Sequence, residues 1–208
     1  TRLDAWIGSD EAGKGDFFGP LVVAALHVTR DNIRDLVLLQ VQDSKKMTDT
    51  KIQHVAESIK QNFNYAVKSI EPAEYNHVYQ KIGNLNKLLA RAHSDVITEL
   101  ITKFRCDAVL IDKFGNESLI NNELKVGRQT KVVQLERAEI NPAVAGAAIL
   151  ARSHFVDAIN RLSREYQVQL PKGASAPVLT AGKKFIRIHG KDRLEKVAKL
   201  HFKTVQKL

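Results

Sequence analysis

Short apolar runs recur along the chain at lengths typical of buried β-strands. Some are continuous and others alternate apolar with polar residues, and turn-forming residues separate them. A proline at the start of one run, Pro20, is acceptable at the first position of a strand. The predicted strands are Leu3–Ser9, which ends at Asp10, and Leu21–Val28, Asn64–Ile70, Ala108–Asp112 and Lys131–Leu135.

Helical periodicity fills the segments between these strands. It is clearest from Leu85 to Phe104, where apolar residues recur three and four positions apart. Helices are also predicted at roughly 30–40, 49–62 and 142–164. Pro142 is favourable in the first turn of a helix, and the small residues of Ala143–Ala148 would let this last helix lie close against a sheet.

This order of elements predicts an α/β fold. Three strands followed by strand–helix–strand units describe a mixed five-stranded sheet that is flanked by helices. We expect a single domain over residues 1–208, with a helical C-terminal extension that begins at about residue 171, in the turn Pro171–Ala174.

Composition excludes several classes of protein and favours one kind of partner. The chain is 44% hydrophobic, yet it has no apolar run near the length that spans a membrane. One cysteine, Cys106, excludes an internal disulfide and fits a reducing, cytoplasmic environment. The seven histidines lack zinc-ligand spacing. A net charge of +9 favours an anionic partner.

Acidic residues follow several of the predicted strands. Asp10 and Asp112 each end a buried strand, so they can meet at one edge of the sheet. Successive strand side chains point to opposite faces, so Glu11 can join Asp10 only if the strand ends there and the backbone turns. Glu139 precedes the alanine-rich helix, and Glu136 is the alternative at this place. Clustered carboxylates repel one another unless cations bind them, which predicts a metal site.

A glycine-rich turn follows the first two acids. Gly13, Lys14 and Gly15 would let backbone N–H groups approach a phosphate or a sugar closely. Carboxylates that can bind a metal ion, next to a backbone that can approach a phosphate, indicate phosphodiester chemistry. The segment Gly8–Lys14 also matches the P-loop pattern G-x-x-x-x-G-K. That interpretation fails, because a glycine replaces the Ser/Thr that binds Mg²⁺ and two carboxylates would stand where the phosphates bind.

The same residues carry a family resemblance. Asp10–Pro20 resembles the signature of type 3 ribonuclease H, bacterial enzymes that are related to type 2. Further segments over nearly the whole chain are similar to type 3 sequences: Asp43–Asp49, Asn84–Ala90, Ala138–Glu139 with Val144–Arg152, Leu170–Ser175 and Lys199–Thr204.

The resemblance implies a ribonuclease H-like fold and a set of site residues. The implied catalytic and metal-binding residues are Asp10, Glu11, Asp112 and Glu139, with Glu136 as the alternative to the last. They would bind two divalent ions, Mg²⁺ or Mn²⁺, and hydrolyse the RNA strand of an RNA/DNA hybrid to leave 5′-phosphate and 3′-hydroxyl ends. The implied substrate-binding residues are Gly13, Lys14 and Gly15 at the ribose, and Ser44, Lys45, Lys46, Lys183 and Lys184 elsewhere along the duplex.

The resemblance also bears on organisation and leaves two alternatives open. Type 3 enzymes carry an N-terminal substrate-binding domain resembling the TATA-binding protein, and we expect it to be absent here, because the sequence starts on the first catalytic strand. We expect a cytoplasmic monomer with the hybrid duplex as its partner. The alternatives are a type 2-like enzyme that incises at single ribonucleotides in DNA, and a hybrid-binding module without catalytic activity.

Overall fold

The computed structural model describes residues 3–41, 44, 47–115, 117–124 and 130–208. The chain divides into two compact units. Unit 1 consists of Thr1–Glu11, Val23–Lys68 and Asn84–Ser153, and unit 2 of Ala12–Val22, Ser69–Gly83 and His154–Leu208. The single domain that the sequence indicates stays a prediction.

A five-stranded sheet lies within the described residues, as the sequence predicts. Its order is β3-β2-β1-β4-β5. The central strands are rich in residues that are fully buried, among them Ile7, Val23 and Val109. The strands are β1 (Ala5–Ala12), β2 (Leu21–Thr29), β3 (Asn64–Ile70), β4 (Ala108–Asp112) and β5 (Lys131–Leu135).

The sheet combines two kinds of connection. β4 pairs in parallel with both β1 and β5. β1 and β2 are neighbours joined only by residues 13–20, a connection too short for a parallel crossover. The predicted mixed sheet is therefore confirmed.

Helices lie in the intervals after β2 and after the last strand. The side chain of Asn84 caps one of them by accepting hydrogen bonds from the backbone N–H groups of Asn86 and Lys87. No helix of the described residues is long and apolar enough to cross a membrane. The helices are α1 (Ile33–Leu38), α2 (Asp49–Asn62), α3 (Pro72–Ile82), α4 (Leu85–Ile101), α5 (Glu117–Glu123), α6 (Pro142–Glu165) and α7 (Ala176–His189), with 3₁₀ turns at Ala138–Ile140, Lys191–Lys196 and Lys203–Lys207.

The first strand begins and ends about two residues later than the sequence predicts. It does not end at Asp10 but continues through Glu11 to Ala12. The polar residues at its end stay extended because they find partners inside unit 1: the Ser9 hydroxyl donates to the carbonyl of Ala24, 2.8 Å away, and also contacts α4. The predicted break at Asp10 is therefore wrong.

Glycines let α6 lie close to the sheet in unit 1. A Cβ on Gly8 would stand 2.3 Å from backbone atoms of Ala143 and Val144, and one on Gly146 would stand 2.5 Å from the Leu26 side chain. The prediction that small residues seat this helix against the sheet is confirmed. The 3₁₀ turn Ala138–Ile140 immediately precedes this helix.

Candidate active site

The first two acids lie next to each other because of strand register. Ser9 pairs with Ile111 in the parallel ladder between β1 and β4. One residue further along both strands are Asp10 and Asp112, at the C-terminal end of β4. Neighbouring residues in register point to the same face of a sheet. The two carboxylates therefore share one face and one edge.

The third acid is tied to Asp112 through the backbone. Oδ1 of Asp112 accepts a hydrogen bond of 3.1 Å from the N–H of Ala138. Ala138 begins the 3₁₀ turn that carries the half-buried Glu139. The alternative, Glu136, is 80% exposed at its side chain and forms an ion pair of 3.0 Å with Lys113. The structure thus brings Glu139, rather than Glu136, to the turn that Asp112 holds.

Glu11 faces a buried histidine of α4. Its Oε2 lies 3.3 Å from Nε2 of His93, whose side chain is fully buried, while 11% of the Glu11 side chain is exposed. Nδ1 of His93 lies 2.8 Å from the Ser9 hydroxyl. The His93 ring also stacks on Phe114, with ring centroids 5.0 Å apart and planes 4° apart. His93 is thereby fixed on both edges and on one face.

Asp10 and Glu11 point to opposite faces of β1. Ser9 and Glu11 both contact His93, which agrees with strand alternation and places Asp10 on the other face. Among the described residues, no three His, Cys, Asp or Glu side chains form a group that could hold a metal ion. The predicted convergence of four carboxylates is thus incomplete, because β1 continues where a turn is expected. The donor set itself, carboxylate oxygens at one sheet edge, fits hard divalent cations.

The predicted ribose turn lies in unit 2 and begins two residues after Glu11. Gly13 has φ +85°, and a Cβ there would stand 2.2 Å from the carbonyl oxygen of Pro20. Gly15 is exposed, and a Cβ there would meet no atom within 4 Å. Gly13 is therefore required by the fold, whereas nothing in the described structure requires a glycine at position 15.

The remaining predicted substrate-binding residues differ in their exposure to solvent. Lys183 and Lys184 are exposed on α7, and Lys14 is half-buried. Ser44 is 8% exposed. Lys45 and Lys46 lie outside the described residues.

Two residues at these sites carry no functional prediction from the sequence. His93 interrupts the apolar stripe of α4, four positions after Leu89, and a histidine on a core stripe is the signal that could have identified it. Lys199, which is fully buried in unit 2, belongs to the segment Lys199–Thr204 but has no motif of its own.

Comparison with known proteins agrees with this architecture. The family model described as Ribonuclease HII matches residues 7–205. The chain is 42% identical over 208 residues to ribonuclease HIII of Protochlamydia amoebophila, covering 99% of this chain and 69% of that protein. It is also 42% identical to ribonuclease HIII of Chlamydia pneumoniae, covering 97% of this chain and 69% of that protein.

A solved structure shows the same fold. The crystal structure of Bst-RNase HIII in complex with Mn²⁺ superposes with a TM-score of 0.91 at 34% identity, over 98% of this chain and 68% of that chain. The ribonuclease H-like fold implied by the resemblance is thereby confirmed. The chain belongs to the ribonuclease HII family and, within it, to the ribonuclease HIII enzymes, which makes it a ribonuclease H.

Proposed function

We propose that this chain hydrolyses the RNA strand of RNA/DNA hybrids with Asp10, Glu11, Asp112 and Glu139, leaving 5′-phosphate and 3′-hydroxyl ends. The observation that carries the proposal is the register of β1 and β4, which makes Asp10 and Asp112 neighbours on one face. Asp112 in turn holds the 3₁₀ turn that carries Glu139. Three of the four acids are thus organised by the sheet and its connection to α6.

The four carboxylates would hold two divalent ions, Mg²⁺ or Mn²⁺. The support is the all-oxygen donor set together with the Mn²⁺ complex of the similar Bst-RNase HIII. Such ions, when bound, lower the pKa of a water molecule and stabilise charge on the leaving oxygen.

The protein's own contribution is placement. The N–H of Ala138 fixes one oxygen of Asp112, and His93 fixes one oxygen of Glu11. Groups held in this way need little reorganisation when charge develops at the reacting phosphate. Asp10 also accepts a hydrogen bond of 2.8 Å from the N–H of Glu11, which restricts its rotation.

Selectivity for RNA would reside in the turn Gly13–Gly15. RNA differs from DNA by the 2′-hydroxyl, which an A-like duplex displays in its wide, shallow minor groove. The exposed Gly15 presents its backbone without a side chain, although the fold has space for one. Lys14, Lys183 and Lys184 would contact phosphates and position the duplex without reading its sequence. Ser44, Lys45 and Lys46 stay predictions of further contacts.

We further propose that the chain acts as a monomer in the cytoplasm. The single cysteine fits a reducing compartment, and each predicted catalytic acid comes from the same chain. Light scattering coupled to size exclusion, at the concentrations used for activity, tests the oligomeric state. An activity that rises faster than linearly with enzyme concentration would contradict it.

The decisive experiment is cleavage of an end-labelled RNA/DNA hybrid beside DNA and RNA duplexes of the same sequence, with Mg²⁺, Mn²⁺ or EDTA. We expect metal-dependent cutting confined to the RNA strand of the hybrid. A fourth substrate, a DNA duplex with one embedded ribonucleotide, distinguishes type 2-like incision. Binding of the hybrid without cutting in either metal would instead identify a binding module.

Asp10→Asn provides the matched test of the acids. Asparagine keeps an oxygen that can accept the N–H of Glu11 but removes one charge next to Asp112. We expect cleavage to be abolished while hybrid binding is retained, and the melting temperature in EDTA to rise, because repulsion between neighbouring carboxylates is relieved. Retained turnover would contradict the catalytic role, and a lower melting temperature would identify Asp10 as a structural cap.

A further inference from the structure

A fully buried lysine reaches the loop that carries the ribose turn. The Lys199 side chain is 0% exposed. Its Nζ donates hydrogen bonds of 2.8 Å to the carbonyl of Asp16 and 2.6 Å to the carbonyl of Gly19. Both acceptors belong to the β1–β2 loop, residues 13–20, and donor and acceptors all lie in unit 2.

Backbone hydrogen bonds attach the Lys199 segment to the same loop. The N–H of Lys199 donates to the carbonyl of Phe17 over 2.8 Å, and the N–H of Gly19 donates to the carbonyl of Val197 over 2.9 Å. Phe18 forms an isolated antiparallel bridge with Ala198. The side chain of Lys199 therefore acts on a loop whose second half is already clamped.

The first half of the loop is held through Asp16. The Asp16 side chain accepts a hydrogen bond of 2.6 Å from the N–H of Gly173, and the N–H of Asp16 donates to the carbonyl of Gly13 over 3.3 Å. The carbonyl that Lys199 binds thus belongs to Asp16, the residue whose N–H closes the Gly13–Asp16 turn. It lies directly after the three residues of the predicted ribose turn.

Burial of the Lys199 amine costs free energy. Desolvation disfavours its charged form, and an apolar side chain of similar length would avoid that cost. Burial lowers the pKa of Lys199 to about 7, while Asp16 and Glu71 act in the opposite direction. The centroid of the Tyr75 ring lies 5.8 Å from Nζ, and the lysine charge acts on His201, whose pKa it helps to lower. What the amine supplies, and a hydrocarbon cannot, is two hydrogen bonds to loop carbonyls.

We propose that Lys199 is a positioning residue for RNA recognition: by binding the carbonyls of Asp16 and Gly19 it sets the backbone of Gly13–Gly15 in the orientation that meets the ribose 2′-hydroxyl. This inference rests on the proposed role of that turn. Lys199 itself contacts no substrate, since its side chain is buried.

The test compares binding of an RNA/DNA hybrid and of a DNA duplex of the same sequence, in EDTA, so that no cleavage is involved. Lys199→Met keeps the length of the side chain and removes both hydrogen bonds. We expect the ratio of hybrid to DNA affinity to fall by about tenfold, the effect of roughly one well-placed hydrogen bond. With metal, KM for the hybrid should rise by a similar factor while kcat stays within about threefold of the unchanged enzyme.

Lys196→Met is the matched control, because the Lys196 side chain is 52% exposed and forms an ion pair with its neighbour Glu195. It should leave the affinity ratio unchanged. Lys199→Gln serves where Lys199→Met does not fold, since the shorter amide cannot reach both carbonyls and should give an intermediate ratio.

An unchanged ratio in folded Lys199→Met or Lys199→Gln, with only the melting temperature lowered, would overturn the inference and leave Lys199 a structural residue. Failure of the underlying proposal is distinguishable, because the unsubstituted chain would then itself bind hybrid and DNA equally.

Discussion

At the scale of single residues, each unit contains one buried polar side chain that binds a group used in the proposed function. His93 supports Glu11 in unit 1, and Lys199 supports the β1–β2 loop in unit 2. Neither is exposed to solvent. Both bind groups that the proposed chemistry needs in a fixed orientation, which is the task of residues behind a metal ligand or a substrate-binding backbone.

Replacing His93 should weaken metal binding. His93→Leu removes the partner of Glu11, and loss of such a supporting hydrogen bond typically lowers metal affinity about 10- to 100-fold. We expect the Mn²⁺ concentration for half-maximal cleavage to rise in that range, and calorimetric Mn²⁺ binding to weaken in parallel. His54→Leu, at an exposed position of α2, is the control. Tighter Mn²⁺ binding in His93→Leu would show instead that His93 competes with the ion for Glu11.

Lys199 should make stability depend on pH. Its pKa is lowered to about 7 in the folded chain by burial, against 10.5 as the ordinary value. Between these values the unfolded chain binds a proton that the folded chain lacks, so folding becomes more favourable as the pH rises, by up to about 1.4 kcal/mol per pH unit.

Urea unfolding at pH 7 and pH 9 measures this effect. The free energy of unfolding of the unsubstituted chain should gain about 2 kcal/mol relative to Lys199→Met over that interval. Other titrating groups are common to both chains and cancel in the comparison. Parallel pH profiles for the two chains would show that the amine keeps its ordinary pKa in the folded state.

At the scale of elements, the sheet positions the acids and the loop after β1 carries the glycine turn. The parallel pairing of β1 with β4 sets Asp10 and Asp112 side by side. The β1–β2 loop follows immediately, and its two glycines, Gly13 and Gly15, differ in the space around them. Gly13 has a left-handed backbone against the carbonyl of Pro20, while Gly15 has open space around it. Structural and functional demands on the turn can therefore be separated by substitution.

Alanine at the two positions should affect different properties: stability at Gly13 and substrate binding at Gly15. Gly13→Ala should destabilise the fold by on the order of 1–3 kcal/mol, because a side chain is strained at φ +85° and meets Pro20. Gly15→Ala should leave the melting temperature unchanged but raise KM for the hybrid, because the added methyl group stands where the ribose would approach. Thermal melts and cleavage kinetics of both variants check this. An unchanged KM in Gly15→Ala would remove residue 15 from substrate recognition.

At the scale of the whole molecule, net charge supports binding of a polyanion. The chain carries 32 Lys and Arg against 23 Asp and Glu, a net charge of +9. Such a charge attracts a nucleic-acid duplex over a distance and makes the affinity fall with salt. This contribution is independent of sequence and is expected for hybrid and DNA alike, so it does not account for the proposed selectivity for RNA.

Salt dependence should report the α7 lysines. Each phosphate contact contributes about 0.7–0.9 to the slope of log K against log salt, so Lys183→Gln with Lys184→Gln should reduce the slope by about 1.4–1.8. The control is Lys81→Gln with Lys103→Gln, which removes the same charge from exposed positions elsewhere. Equal slopes for the two double variants would exclude α7 from the duplex-binding surface.

The amino-acid sequence determined most of the secondary structure. The strands Asn64–Ile70, Ala108–Asp112 and Lys131–Leu135 and the helix Asp49–Asn62 have the predicted bounds, because apolar period and turn residues are local signals. The resemblance carried by Asp10–Pro20 fixed the family for the same reason: it is a contiguous motif.

Tertiary structure decided which partners the acids and the buried polar residues have. Whether β1 ends at Asp10 depended on partners for Ser9 and Glu11 that come from β2 and α4, far away in sequence. The preference for Glu139 over Glu136 rests on a hydrogen bond that the N–H of Ala138, in the turn that carries Glu139, donates to Asp112. His93 and Lys199 acquired their partners across separations of 82 and 180 residues. Local pattern carries no record of such contacts, because they form only when the chain packs.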